Sequence, residues 1–184
     1  QFLGSIIALG GVPQGILAQI TILHASSVLF FMCSWNALND IYDFEIDSVN
    51  RPDRPLPSGS ISLREAKVAT AITMISSILS IALCYWLISE SNSAEGLEVS
   101  EWYPSLIIWI MALILLINYE FPFGLRLKDK GLPGNISISI SVGLVVVFGA
   151  SAVFEPFNQK AWSLFFVGIL YNTSREIIKD VQDM

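Results

Sequence analysis

Five long apolar runs, roughly residues 16–38, 66–89, 104–121, 136–153 and 161–178, fill most of this 184-residue chain. Crossing the hydrocarbon core of a bilayer as a helix takes about 20 apolar residues, and inside it every backbone N–H and C=O must be paired within the segment. None of the runs has a charge at its centre. They hold many small and hydroxyl residues, among them Ser76, Ser77, Ser137, Ser139, Ser141 and Gly143, which let helices approach closely in lipid. Residues 1–10 read as the tail of an earlier span. The expected fold class is therefore all-α, a multi-span transmembrane helical bundle. Composition agrees, with 53% hydrophobic and 14% charged residues, where a soluble domain has about 25% charged.

The charges that remain are sorted by side. Arg51, Arg54, Arg64, Lys67, Arg126, Lys128, Lys130, Arg175 and Lys179, nine of the ten basic residues, flank alternate loops, and Lys160 stands alone on the other side. The loop 90–102 carries Glu90, Glu95, Glu98 and Glu101 and no Lys or Arg. The positive-inside rule then puts loops 40–65 and 122–135 and the C-terminal end in the cytosol, with loop 90–102 and the turn 154–160 outside. A net charge of −6 and the lack of basic stretches with interleaved aromatics exclude nucleic acid as a partner. Cys33 and Cys84 lie in apolar runs without CxxC spacing and are expected as inert core thiols; His24, the only histidine, is expected as a packed core residue.

On the cytosolic side the polar residues are spaced for chemistry. Asp40, Asp43 and Asp47, at i, i+3 and i+7, fall on one face of a helix, with Asn39 beside them and Asn36 one turn before Asp40. Glu45 points away, about 140° from Asp40. Three such acids repel one another unless a cation lies among them. Mg²⁺ suits carboxylate oxygen and is commonly shared between one or two carboxylates and substrate phosphate. Glu176, Asp180 and Asp183 repeat the pattern at i, i+4 and i+7, with Arg175 and Lys179 adding cations beside them. The loop Asn50–Gly59 contains Pro52, Pro55 and Pro57, cannot continue a helix, and reads either as a stiff connector or as a mount for Arg51 and Arg54 over a metal site. Lys128 lies in a basic turn after Tyr119, Phe121 and Phe123, and Asn135 is a candidate N-cap for the span that follows. Positive-inside anchoring and an aromatic belt account for the turn and its aromatics; phosphate contact by Lys128 and an aromatic wall for an allylic cation are the functional readings.

With these residues in view, the chain resembles the UbiA superfamily of intramembrane prenyltransferases. Asn39, Asp40, Asp43 and Asp47 match its NDxxDxxxD motif. Val49–Gly59, Arg64-Glu65-Ala66, Gly131–Asn135 and Arg175–Asp183 resemble the archaeal branch that makes digeranylgeranylglyceryl phosphate. The resemblance covers the chain from about residue 1 to its end. It implies a single transmembrane domain over 1–184, with about six of nine helices present. Gln1 begins partway through an apolar segment and Met184 follows directly on an acidic motif, so both ends are expected to lie inside a longer protein. Also implied are a metal shell of Asn39, Asp40, Asp43, Asp47, Asp180 and Asp183 holding Mg²⁺ as cofactor, and substrate contacts from Asn36, Arg51, Arg54, Tyr119, Lys128, Arg175 and Lys179. The partners would be a prenyl diphosphate donor, a lipid acceptor such as geranylgeranylglyceryl phosphate, and membrane lipid, with the active site facing the cytosol. An aromatic quinone precursor or a tetrapyrrole is the alternative acceptor. From a different class, a divalent-cation transporter also uses acids, but its sites lie near the bilayer midplane.

Overall fold

The computed structural model describes residues 1–95 and 97–182. The elements are helices throughout: α1 (Phe2–Leu9), α2 (Gly15–Tyr42), α3 (Phe44–Asn50), α4 (Leu63–Glu95), α5 (Val99–Glu120), a 3₁₀ turn (Leu127–Lys130), α6 (Leu132–Ser151) and α7 (Gln159–Gln182). Each of the five apolar runs lies in one of the long helices. Four of them, α2, α4 from Leu63 to Ser91, α5 and α6, are long and apolar enough to cross a membrane. The fifth run is a helix too, α7, but the polar stretch Asn172–Glu176 dilutes it and it is not among those four.

Local chemistry sets the boundaries. α1 closes on Gly10 in the left-handed conformation, φ 74°, as helix ends often do. Arg51 precedes Pro52 and leaves the helical region, ending α3; Phe121 precedes Pro122 and is extended, ending α5. α4 opens on a reciprocal capping box. Ser62 N–H and Oγ both donate to Glu65 Oε2, at 2.8 and 2.7 Å, and Glu65 N–H donates to Ser62 Oγ at 3.2 Å. α7 is capped by Asn158, whose Oδ1 accepts from the N–H groups of Lys160 and Ala161. Asn135, expected as the cap of α6, lies inside it. Pro133 is pre-set for a first turn, so the helix starts earlier, at Leu132 after Gly131.

The described residues fall into two compact units, 26–83 and 1–25 with 84–184. In the first, α2 and α4 are stitched antiparallel by hydroxyls. Ser27 and Ser77 Oγ are 3.0 Å apart, Ser77 Oγ donates to Ser27 O, and Ser34 Oγ donates to Thr70 O. In the second, α6 is central. Half of its span is buried, against under a third for the other three spans, and it packs on α7, α5 and α1. Leu144, Val147 and Phe165 centre that core. Ser5 Oγ reaches Gly149 O at 2.7 Å, an approach of α1 to α6 that a side chain at Gly149 would block. His24 is fully buried, as expected, and Cys84 Sγ lies 3.3 Å from its Nδ1. Cys33, expected in the core, is instead exposed on α2; an apolar run destined for lipid has an outward face that suits a thiol equally well.

Candidate functional site

The first acidic motif is not carried by one unbroken helix. α2 stops at Tyr42, Asp43 sits at φ −89°, ψ 4°, and α3 resumes at Phe44. Asn and Asp are among the weaker helix formers, and the ladder gives way at the third of them in five residues. The carboxylates stay grouped because helical bonds run through the break. Asp43 N–H donates to Asn39 O, Asp47 N–H to Asp43 O, and Arg51 N–H to Asp47 O, all at 2.8–2.9 Å. Asn39 Nδ2 also donates to Asp43 Oδ2 at 3.1 Å.

The cation among the acids is Arg54. Its Nη1 lies 2.5 Å from Asp47 Oδ2 and 3.3 Å from Asp40 Oδ1. The Asp47 side chain is 10% exposed and that of Asp40 49%, so Asp47 is the more shielded of the two carboxylates. The proline-rich loop presents Arg54 through consecutive turns: Arg54 N–H to Arg51 O, Ser58 N–H to Arg54 O, Gly59 N–H to Leu56 O and Ile61 N–H to Pro55 O. Buried Leu56 anchors it. A cavity of about 430 Å³ opens here, with Asp40, Asp47, Arg54 and Glu65 on its polar wall and Leu56 and Ala66 among its apolar lining. Asn36 and Arg51 are exposed, and Glu45 is exposed off the column as its spacing requires. Among the described residues, no three His, Cys, Asp or Glu side chains converge closely enough to hold a metal ion unaided.

The second motif belongs to the other unit and divides over two faces of α7. Asp180 Oδ2 accepts from Asn135 Nδ2 of α6 at 2.7 Å. Asn172, two turns earlier on that face, donates to Ser139 Oγ at 3.1 Å. Arg175 and Lys179 line a separate groove with Tyr171, Ser174, Ile178 and Gln182, and both pair with Glu176, at 3.0 and 3.2 Å. Asp183 lies outside the described residues. Tyr119, at the end of α5, feels the charges of Glu176, Glu120, Lys128 and Asp180.

Two residues of this corner escape a reading of the sequence. Glu120 is buried with its side chain fully covered and is paired with Lys128 at 2.5 Å. Asn135 reads as a helix cap and instead holds Asp180. The signal for Glu120 was a lone acid closing an apolar run, eight residues before a lysine.

The family described as the UbiA prenyltransferase family matches residues 2–184. Among known proteins, the chain is 31% identical over 183 residues to a digeranylgeranylglyceryl phosphate synthase of Thermococcus kodakarensis, covering 99% of this chain and 56% of that one. It is 33% identical to the enzyme of the same name from Methanobrevibacter smithii, covering 89% and 52%. For that of Methanothrix thermoacetophila the identity is 36%, again covering 89% and 52%. The chain thus spans about half the length of the curated relatives it matches. No solved structure matches it significantly.

Proposed function

The chain belongs to the UbiA prenyltransferase family, and from that membership we propose that the complete protein transfers a geranylgeranyl group from its diphosphate to a glycerol hydroxyl of geranylgeranylglyceryl phosphate. The names of the relatives support this acceptor. The observation that carries the reading is the column Asn39–Asp43–Asp47, with Asp40 beside it and Arg54 as its counter-charge, at the end of an apolar helix.

The donor set fits Mg²⁺ bound together with diphosphate better than a self-contained metal cage. Oxygen ligands are plentiful, yet among the described residues no three acids converge, and Mg²⁺ ordinarily takes one or two carboxylates and completes its shell from phosphate and water. Asn39, Asp40, Asp43 and Asp47 would hold it, with Asp180 and Asp183 contributing from the second motif. When bound, the metal neutralises charge developing on the leaving diphosphate. Arg54, already among carboxylates, and the outward Arg51 supply fork-shaped donors matched to phosphate oxygens. Lys128, Arg175 and Lys179 supply further cations, Asn36 a polar contact, and Tyr119 an aromatic wall able to stabilise an allylic cation. An apolar surround keeps water from capturing that cation. The site faces the cytosol, where the basic loops lie.

The test is to incubate the complete protein with geranylgeranyl diphosphate and a panel of acceptors, then identify products by mass spectrometry. An ether formed on geranylgeranylglyceryl phosphate is expected. A product formed only on an aromatic or tetrapyrrole acceptor would keep the prenyltransferase and replace its acceptor.

A further inference from the structure

We infer that Asn135 is a positioning residue, whose buried side-chain amide fixes the Asp180 carboxylate in the orientation from which it serves a Mg²⁺ ion. The inference rests on the metal–diphosphate reading above and extends it to a residue outside both acidic motifs.

Asn135 closes the first turn of α6 and is 8% exposed. Its backbone is committed on both sides. The N–H donates to Gly131 O at 3.0 Å, and the C=O accepts from Ser139 Oγ at 2.5 Å. At the preceding Gly134, a side-chain carbon would lie 3.3 Å from Lys128 Cα. The first turn of α6 is thus held against the 3₁₀ turn before it, and what Asn135 has left to offer is its side chain. Nδ2 donates to Asp180 Oδ2 at 2.7 Å, at the short end for an N–H donor, as bonds to ionised carboxylates are. Only the nitrogen of the amide can face such a group, which accepts and does not donate.

Attachment of one helix to the other does not account for this contact. Asn172 Nδ2 already joins α7 to α6 through Ser139 Oγ, two turns away and between buried residues. Asp180, by contrast, is exposed, and an exposed carboxylate can be satisfied by water without a buried amide. The kind of donor is also informative. Asp47, Glu120, Asp129 and Glu176 each take a Lys or Arg, which offsets their charge. Among the described residues Asp180 has no such pair, and the donor it has is neutral. A neutral donor fixes one oxygen and leaves the negative charge for a cation. An ionised carboxylate has about four acceptor sites, of which this bond takes one. In the first motif Asn39 donates likewise to Asp43, at 3.1 Å. Carboxylates that hold metals are ordinarily oriented by outer hydrogen bonds of this kind.

The experiment measures Mg²⁺ binding to the complete protein in detergent by calorimetry, with inorganic pyrophosphate present. Loss of an outer hydrogen bond to a metal ligand costs about 10–100-fold, so Asn135→Ala should weaken Mg²⁺ binding at least about tenfold. Asn135→Ser, which keeps a small polar group but shortens its reach, should do the same. Asp180→Ala should weaken binding as much or more. In the Asp180→Ala background Asn135→Ala should add nothing, since the amide then has no carboxylate to hold. Asn172→Ala removes the other side-chain bond between α6 and α7. It should lower thermal stability and leave Mg²⁺ affinity unchanged, which separates positioning from a merely structural contact. An equal loss of Mg²⁺ affinity in Asn172→Ala, or additive losses in the double variant, overturns the inference. If Asn135→Ala and Asn135→Ser bind Mg²⁺ normally while Asp180→Ala does not, the inference falls and the metal role of Asp180 stands. If Asp180→Ala also binds normally, that role falls as well. If the unaltered protein binds no Mg²⁺ beside pyrophosphate, the diphosphate reading falls with both.

Discussion

Arg54 answers a charge problem that the spacing of Asp40 and Asp47 creates. Both would repel an incoming anion, and the guanidinium between them offsets that charge while leaving Asp40 half open to solvent. Two predictions belong at this scale. Asp40→Ala or Asp43→Ala should lower turnover by at least about 100-fold, the loss usual for one electrostatic contact to a reacting group, with the protein still folded in detergent. Glu45→Ala, exposed and off the column, should change it little. Equal damage from Glu45→Ala and Asp43→Ala, in the same turnover assay, would sink the argument from helical faces. For stability, Arg54→Ala leaves the buried Asp47 carboxylate without its guanidinium and should cost about 1–3 kcal/mol by thermal unfolding. Arg51→Ala, at an exposed site, should stay within about 0.5 kcal/mol. The acids of the first motif were legible because a fixed helical period puts them together whatever surrounds them. Their partner was not, since Arg51 and Arg54 are equivalent in a proline-rich loop until the loop's turns select Arg54. Glu120 and Asn135 were hidden for a related reason. A single polar residue has no period, and its role depends on what another helix brings to it.

Among the elements, apolar length placed all five long helices, because in lipid the backbone has few other ways to pair. Two features were not set by hydropathy. The break at Asp43 depends on local helix propensity within a polar stretch, and the division of the second motif over two faces of α7 depends on α6, which buries Asn172, hydrogen-bonds the exposed Asp180 and leaves Arg175 and Lys179 in a separate groove. The orientation of the helices across the membrane rests on the basic residues and is testable directly. In a Cys33→Ser background, which removes the exposed native thiol, Ser60→Cys and Ser100→Cys are probed in intact cells with a membrane-impermeant thiol reagent. Ser100→Cys should label at once and Ser60→Cys only after permeabilisation. The opposite pattern would invert the topology and move the first motif to the outer face.

At the scale of the whole molecule, each compact unit carries one acidic motif, Asp40–Asp47 in residues 26–83 and Asp180 in the other. Mg²⁺ should bind weakly without diphosphate, since no three acids converge within the described residues and the missing oxygens must come from substrate. A non-hydrolysable prenyl diphosphate analogue should therefore tighten Mg²⁺ binding, and linkage requires Mg²⁺ to tighten the analogue by the same factor, with a coupling of about 1–3 kcal/mol. Asp43→Ala should reduce that coupling, because it removes a carboxylate of the first motif. A divalent-cation transporter behaves differently: it binds the ion without diphosphate and carries it across a bilayer. Calorimetry with and without the analogue, set beside a flux measurement in liposomes, separates the two. Coupling lost in Asp43→Ala supports the first motif as part of the site; unchanged coupling would remove that motif from it. Zero coupling with measurable flux would replace the transferase by a transporter.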